Sequence, residues 1–275
     1  MIFEQAFMAL PEFLTGTPFK RYQFEGTIVT AYSMAVLQEL NSRNVANPVS
    51  LLRSEVDYPV DERKRADMHI NLGPLGLFND DLHSYGFYEN NWMEVKFCRL
   101  SSKGKPVTNP LASTFLLLKD LIRICSFPPD NKLHNEPSNT GRYLLHAYQG
   151  EPAQYFNFTR NQGGSRVERV WAKSLIKPGE HELEINDLSR EKTKQFEKCV
   201  GRKARHIKLK AKVTNYVHKP RQYSDDVYHV VLTRVDDFKI YVFNRMFGRV
   251  NGKTQENRTG FGLLGPKIVN HYLTE

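Results

Sequence analysis

The sequence predicts an α/β (α+β) fold in which helices flank a mixed β-sheet. Two observations carry this prediction. Apolar residues recur with the helical period of about 3.6 residues in one segment of the first half, a second segment there is strongly apolar, and shorter apolar segments between and after them have the character of strands. The resulting order is helix, three strands, helix, strand, and helices that alternate with strands are typical of a sheet covered by helical layers. A β-rich C-terminal extension is predicted to follow.

The first helix is predicted over residues 27–43, where the apolar residues follow the helical period. A first strand is expected at 51–60, with Pro59 near its end, where a strand tolerates proline. Residues 61–65 are expected to form a charged turn, and a second strand follows at 66–70.

The third strand is predicted at residues 92–97, after a long connection rich in glycine, asparagine and aspartate. A basic loop then leads to a strongly apolar helix at 111–125, which ends before two prolines. A fourth strand is predicted at 142–148. These segments complete the predicted core.

The third strand carries two charged residues on one face. Glu94 and Lys96 are two residues apart, so in an extended segment they point to the same side, and the apolar residues between and around them point to the other. If the second strand pairs with the third, Asp67 can lie beside Glu94. The two carboxylates could then bind a hard cation such as Mg²⁺ through their oxygens. The ammonium group could orient a metal-bound water or stabilise charge on a transferring phosphoryl group. The alternative is a cross-strand ion pair on a solvated sheet face.

Asp67, followed after 26 intervening residues by Glu94-Val95-Lys96, resembles the motif of the PD-(D/E)xK nuclease superfamily, which includes most type II restriction endonucleases. The predicted order of elements likewise resembles the αβββαβ core of that superfamily. The sequence departs from the motif at Ala66, where the family has proline. The resemblance implies that Asp67, Glu94 and the backbone carbonyl of Val95 hold Mg²⁺. Lys96 would help to prepare a water for in-line attack on a phosphodiester, leaving a 5′-phosphate.

A further acidic residue often comes from the first helix of such enzymes. Glu25 stands just before the predicted helix, where the helix dipole explains a carboxylate equally well. Glu55, in the first strand, is a lesser candidate. His69 would share the face of Asp67 and could touch a phosphate or a metal, although a lone histidine in a strand is more often structural.

Positive charge is concentrated in the second half of the chain. The chain has a net charge of +9; residues 1–150 contain 15 Lys and Arg against 16 Asp and Glu, whereas residues 151–275 contain 24 against 14. A polyanionic substrate requires this separation, because cations hold the phosphates while carboxylates hold the metal. We therefore expect a catalytic core at 1–150 and a basic region for DNA recognition or dimerisation at 151–275, either separate or integrated in one domain.

The most patterned basic segment is a predicted strand that begins at Ile207, after a predicted helix at 188–200. Its lysines alternate with apolar residues and so share one face. Such a strand could contact phosphates, or it could be an edge strand whose lysines oppose aggregation. The candidate phosphate contacts are Arg202, Lys203, Arg205, Lys208, Lys210 and Lys212.

A strand at 227–235 and a hairpin partner at 239–243 are predicted beyond this segment, with Asp236-Asp237 as the turn. Arg245 and Arg249 follow in a stretch that contains glycine and asparagine. Arginines on loops are well suited to reading guanine edges, because the planar guanidinium meets two acceptors at once.

The remaining features limit the cellular setting. The three cysteines lack the spacing of a zinc site or a disulfide framework, which fits a reducing compartment. The N-terminus lacks a signal-peptide pattern, and no apolar run has the length of a membrane span. The chain is therefore expected to be cytoplasmic, and the resemblance to restriction endonucleases implies a prokaryotic cell.

The predicted function is a Mg²⁺-dependent type II restriction endonuclease that cleaves double-stranded DNA at a specific sequence. A palindromic target implies a homodimer, in which each chain cuts one strand, and a restriction system implies a cognate DNA methyltransferase. Two alternatives stay open. One is a structure-specific or non-specific nuclease of repair or recombination with the same core, and the other is a non-catalytic DNA-binding protein.

Overall fold

The structure is a computed structural model of the chain. It describes residues 2–15, 25–59, 61–76, 87–128, 140–162, 165–186, 206–218, 221–223, 226–243, 246–250, 253–257 and 262–264. The α-helices within these residues are α1 (Ile2–Thr15), α2 (Glu25–Ser42), α3 (Pro110–Ser126) and α4 (Val170–Ser174). The strands are β1 (Leu52–Tyr58), β2 (Asp61–Asn71), β3 (Asn90–Cys98), β4 (Thr140–Gln149), β5 (Thr159–Gln162), β6 (Ser165–Glu168), β7 (Gly179–Ile185), β8 (His206–Val217), β9 (Arg221–Tyr223), β10 (Asp226–Phe243), β11 (Met246–Val250), β12 (Lys253–Asn257) and β13 (Gly262–Leu264).

One continuous mixed sheet organises the molecule. Its strand order is β1-β2-β3-β4-β10-β8-β7, and β9 and β13 pair with β10 at either end. Strands β3 and β4 run parallel and are connected through α3, whereas the other neighbours along this order are antiparallel. A parallel pair needs such a crossover connection. The predicted mixed α/β class, with a mixed sheet flanked by helices, is confirmed.

Two hydrophobic cores cover the two faces of this sheet. Helices α1 and α2 pack on one face, where they meet Met93, Val95 and Leu145. Helices α3 and α4 lie on the other face, where Trp92 and Leu144 are buried with them. Neighbouring residues of β3 and β4 thus enter opposite cores, as the alternation of side chains in a strand requires.

The two halves of the chain share this sheet and both of its cores. Strand β4 pairs with β10 along seven residues, from Tyr143 to Gln149. The core under α3 contains Trp92 from the first half together with Leu183 and Leu209 from the second. The sheet therefore continues across residue 150 without a break.

The predicted helices at 27–43 and 111–125 are present as α2 and α3, and the four predicted strands of the core are present as β1 to β4. The charged turn predicted at 61–65 is wrong. Strand β2 already begins at Asp61, which pairs with Tyr58 of β1. Charged residues are accommodated here because this hairpin forms the edge of the sheet, where Arg65 and Asp57 form an exposed ion pair at 2.8 Å.

The hairpin predicted around Asp236 and Asp237 is also wrong. Both residues lie within β10, which pairs with β8 on both sides of them through an irregularity in the register between Val235 and Asp237. The Asp236 carboxylate accepts hydrogen bonds from the Thr214 hydroxyl and from Nε of Arg234, each at 2.6 Å. A bulge absorbs the extra residue, so the strand continues where the local sequence favours a turn.

Several predictions fall on residues outside this description. They are the helix at 188–200 and the basic residues Arg202, Lys203, Arg205 and Arg245. Arg249 lies in β11, but its side chain is not among the described ones. None of the helices in the described ranges combines the length and the apolar character that crossing a membrane requires.

Candidate active site

Strands β2 and β3 separate at Asp67. Their pairing runs from Asn71 to Met68, which is opposite Met93, and the next pair of a regular ladder would be Asp67 with Glu94. Instead, Oδ2 of Asp67 accepts a hydrogen bond from the backbone N–H of Val95 at 2.6 Å. The aspartate thus lies next to the Glu94-Val95-Lys96 segment.

The edge strand is distorted beside this opening. Glu55 of β1 has a φ of 53°, and it falls between the paired residues Ser54 and Val56, where Asp67 would be its partner. A left-handed backbone conformation is uncommon for a residue other than glycine, and such outliers concentrate at functional sites. The Glu55 side chain is exposed. Glu55 stays a lesser candidate for a further acidic ligand, at a distorted position beside Asp67.

Glu94 is buried, with 2% of its surface exposed. Its Oε1 accepts a hydrogen bond from the Tyr58 hydroxyl at 2.5 Å, and its Oε2 lies 3.1 Å from Nη1 of Arg123 on α3. Burial raises the pKa of the Glu94 carboxyl well above its usual range, while Arg123 acts in the opposite direction. This environment differs from the solvated sheet face on which the alternative of a surface ion pair depends.

Lys96 reaches two carboxylates. Its Nζ donates to Oε2 of Glu25 at 2.8 Å and lies 3.7 Å from Oδ2 of Asp120 on α3. Glu25 is the first residue of α2, and the same oxygen also accepts from the N–H of Phe97 at 3.4 Å. Burial disfavours the charged form of Lys96, but Asp120 and Glu25 outweigh it and raise the pKa of the ammonium group. Lys96 is therefore a fixed positive charge at neutral pH.

Negative charge exceeds positive charge at this site. Burial raises the pKa of Asp67 from 3.8 to about 6; the Val95 N–H opposes that rise, and the charges of Glu25 and Asp120 add to it. Burial also raises the pKa of Asp120. We call Glu25, Asp67, Glu94 and Asp120, with the cations Lys96 and Arg123, the carboxylate cluster. Four carboxylates around two cations favour the uptake of a proton or of another cation.

Three members of this environment were not identified as site residues from the sequence: Tyr58, Asp120 and Arg123. Asp120 and Arg123 are three residues apart and share one side of an otherwise apolar helix. Charged side chains on the buried side of a helix are costly unless they are paired. That pattern could have indicated partners on β3.

The predicted basic face of β8 has acidic neighbours. Lys208, Lys210 and Lys212 share a face as predicted, but β8 lies between β10 and β7 and is not an edge strand. Nζ of Lys208 lies 2.6 Å from Glu184, and that of Lys212 lies 3.9 Å from Glu182. Lys210 is 3.6 Å from the same Glu184. The lysines thus belong to a face of mixed charge.

His69 packs against an aromatic side chain of β3. Its ring lies 4.2 Å from that of Trp92, measured between centroids. Burial lowers the pKa of His69 to about 4, so the ring is neutral at physiological pH. Packing against Trp92 accounts for one face of the ring, while its Nε2 is buried without a hydrogen-bond partner among the described residues.

The described residues contain no group of three or more His, Cys, Asp or Glu side chains arranged to hold a metal. The set expected from the sequence is smaller, with the carboxylates of Asp67 and Glu94 and the carbonyl of Val95, all hard oxygen ligands suited to Mg²⁺. The bond to Val95 uses Oδ2 of Asp67 and leaves Oδ1 for a ligand. A carboxylate oxygen can also accept two interactions, so the contacts of Glu94 do not exhaust it. The residues present therefore fit a hard divalent cation.

Comparisons with known proteins identified no relative of this chain. No protein-family model matches the chain, and neither a curated protein nor a solved structure matches it significantly. An assignment of function thus depends on the geometry of the described residues.

Proposed function

We propose that the chain is a Mg²⁺-dependent nuclease of the PD-(D/E)xK type, and specifically a type II restriction endonuclease acting on double-stranded DNA. The contact of Asp67 Oδ2 with the Val95 N–H at 2.6 Å carries the proposal. It joins an aspartate of one strand to the Glu94-Val95-Lys96 segment of the next. The element order α2, β1, β2, β3, α3, β4 agrees with the αβββαβ core of these nucleases.

The side chains would have separate roles in phosphodiester hydrolysis. Mg²⁺ held by Asp67, Glu94 and the Val95 carbonyl would supply a Lewis acid and lower the pKa of water. Lys96 stays protonated, so it donates hydrogen bonds that orient the attacking water and stabilises negative charge on the phosphate, and it does not act as a general base. Glu25 acts by holding the Lys96 ammonium group, at 2.8 Å.

The DNA partner is supported by the charge distribution. Residues 151–275 contain 24 Lys and Arg against 14 Asp and Glu, and this excess attracts a polyanion. Recognition of a palindromic sequence would require a homodimer, and a restriction system would include a DNA methyltransferase for the same site.

A non-catalytic DNA-binding protein is the second candidate. It is favoured by one observation, that Lys96 and Arg123 already neutralise part of the carboxylate cluster. On that alternative the ion pairs stabilise the fold, and Mg²⁺ has no effect on the protein or on DNA.

The test is cleavage of unmethylated plasmid and phage DNA by the full chain with Mg²⁺. We expect discrete fragments from the wild type, and a rate at least about 100-fold lower for Lys96→Ala, because an electrostatic stabiliser of the transition state is lost. The DNA affinity of the variant should change little, since one charge among many is removed. Lys105→Ala, which removes an exposed loop lysine, is the matched control and should cleave normally.

Other outcomes distinguish the alternatives. A smear of fragments would favour the structure-specific or non-specific nuclease. Intact DNA despite measurable binding would favour the non-catalytic protein. Equal loss of binding and cleavage in Lys96→Ala would contradict the role given to Lys96.

A further inference from the structure

Arg123 connects the elements that carry the two candidate metal ligands. Its Nη1 lies 3.1 Å from Oε2 of Glu94 on β3 and 3.5 Å from Oδ1 of Asp120 on its own helix. Its Nη2 donates to the backbone carbonyl of Arg65 at 2.7 Å. Arg65 lies on β2, two residues before Asp67. The guanidinium is thus held between α3, β2 and β3, next to the opening where the strands separate.

Glu94 depends on a cation inside the protein. With 2% of its surface exposed, its carboxylate cannot be stabilised by bulk water, and a buried unpaired carboxylate is strongly unfavourable. Tyr58 occupies Oε1 by a hydrogen bond, which leaves Oε2 as the oxygen that meets positive charge. Arg123 supplies that charge.

Lys96 does not have this role. Its contacts are Glu25 at 2.8 Å and Asp120 at 3.7 Å, so its charge is directed to the other side of the cluster. The two cations share Asp120, but they differ in their closer carboxylate: Lys96 contacts Glu25, and Arg123 contacts the candidate metal ligand Glu94.

We propose that Arg123 is an internal counterion of Glu94 that competes with the divalent cation for this carboxylate. The inference rests on the proposed function, since it concerns the same site. Arg123 is a positioning residue here: it holds Glu94 when no cation is bound, and it weakens cation binding through like-charge repulsion and through its hold on Oε2. It thereby sets the Mg²⁺ concentration at which the site fills.

Mg²⁺ binding to the full chain without DNA tests this role. We expect Arg123→Gln to bind Mg²⁺ about tenfold more tightly than the wild type in isothermal titration calorimetry, and to melt at a lower temperature when Mg²⁺ is absent. A residue with a purely structural role would weaken binding when removed. Lys119→Gln removes a neighbouring positive charge on the same helix without a contact to Glu94, and it should bind Mg²⁺ like the wild type.

Equal or weaker Mg²⁺ binding by Arg123→Gln, beside measurable binding by the wild type, would overturn the inference and leave the metal site standing. An absence of binding by both proteins would overturn the metal site and the inference together. If Arg123→Gln does not fold, Mg²⁺ binding by Arg123→Lys serves as the test. A lysine keeps the charge but cannot contact Glu94 and the Arg65 carbonyl at once. Tighter binding by Arg123→Lys than by the wild type supports the inference, and equal or weaker binding overturns it.

Discussion

Asp67 is a carboxylate that the fold holds at an energetic cost. Its pKa rises from 3.8 to about 6, mainly through burial, so between these values the folded protein binds a proton that the unfolded chain releases. Stability therefore falls as the pH rises through this window. The shift corresponds to a loss of about 3 kcal/mol at most in the free energy of unfolding at neutral pH.

Replacing Asp67 by asparagine should remove that cost. The amide oxygen can still accept the hydrogen bond from Val95, while the charge is gone. We expect Asp67→Asn to raise the free energy of unfolding at pH 7 by about 1–3 kcal/mol, and to flatten its decline between pH 4 and 6, in urea titrations without metal. Asp57→Asn, at an exposed ion pair with Arg65, is the control and should change stability by less than about 1 kcal/mol. A less stable Asp67→Asn with an unchanged pH profile would contradict this account.

At the scale of single elements, the glutamates of β7 oppose the positive charge of the β8 lysines. Glu182 and Glu184 lie opposite Lys212 and Lys210 across the two strands. These exposed pairs contribute little to stability, because solvent screens them. They do, however, reduce the positive potential that a phosphate backbone would meet.

Two sets of variants separate these effects. If β8 contacts phosphates, replacing Glu182 and Glu184 by glutamine should tighten DNA binding by about 3- to 10-fold at low salt, because the lysines lose their competitors. Replacing the three β8 lysines by glutamine should flatten the dependence of log affinity on log salt by up to about 3. Fluorescence anisotropy over a salt series measures both. An unchanged dependence of log affinity on log salt in the lysine variant would indicate that other residues contact the phosphates.

At the scale of the whole molecule, β4 makes the two halves interdependent. All of β4 except Gln149 is buried, and its neighbours are β3 from the first half and β10 from the second. A chain that ended at residue 150 would expose one edge of β4 and would lose Leu183 and Leu209 from the core under α3. Such an exposed apolar edge favours aggregation.

We therefore expect a fragment of residues 1–150 to lack a cooperative unfolding transition, while the full chain unfolds in one. Circular dichroism with thermal and urea denaturation compares the two under the same conditions. A fragment that unfolds cooperatively, with a secondary-structure content like that of α2 to β4 in the full chain, would show instead that residues 1–150 fold as an independent domain.

Local patterns in the sequence were sufficient to predict α2, α3 and the four strands of the core, because the spacing of apolar residues indicates the type of an element and its buried face. The two-residue spacing of Glu94 and Lys96 likewise determined that they share a face. Contacts between distant segments decided the rest. The separation of β2 from β3 at Asp67, the approach of Asp120 and Arg123 from α3, and the glutamates opposite the β8 lysines all depend on how elements pack. Local propensity was even overridden at Asp236, because pairing with β8 continues a strand where the sequence alone favours a turn.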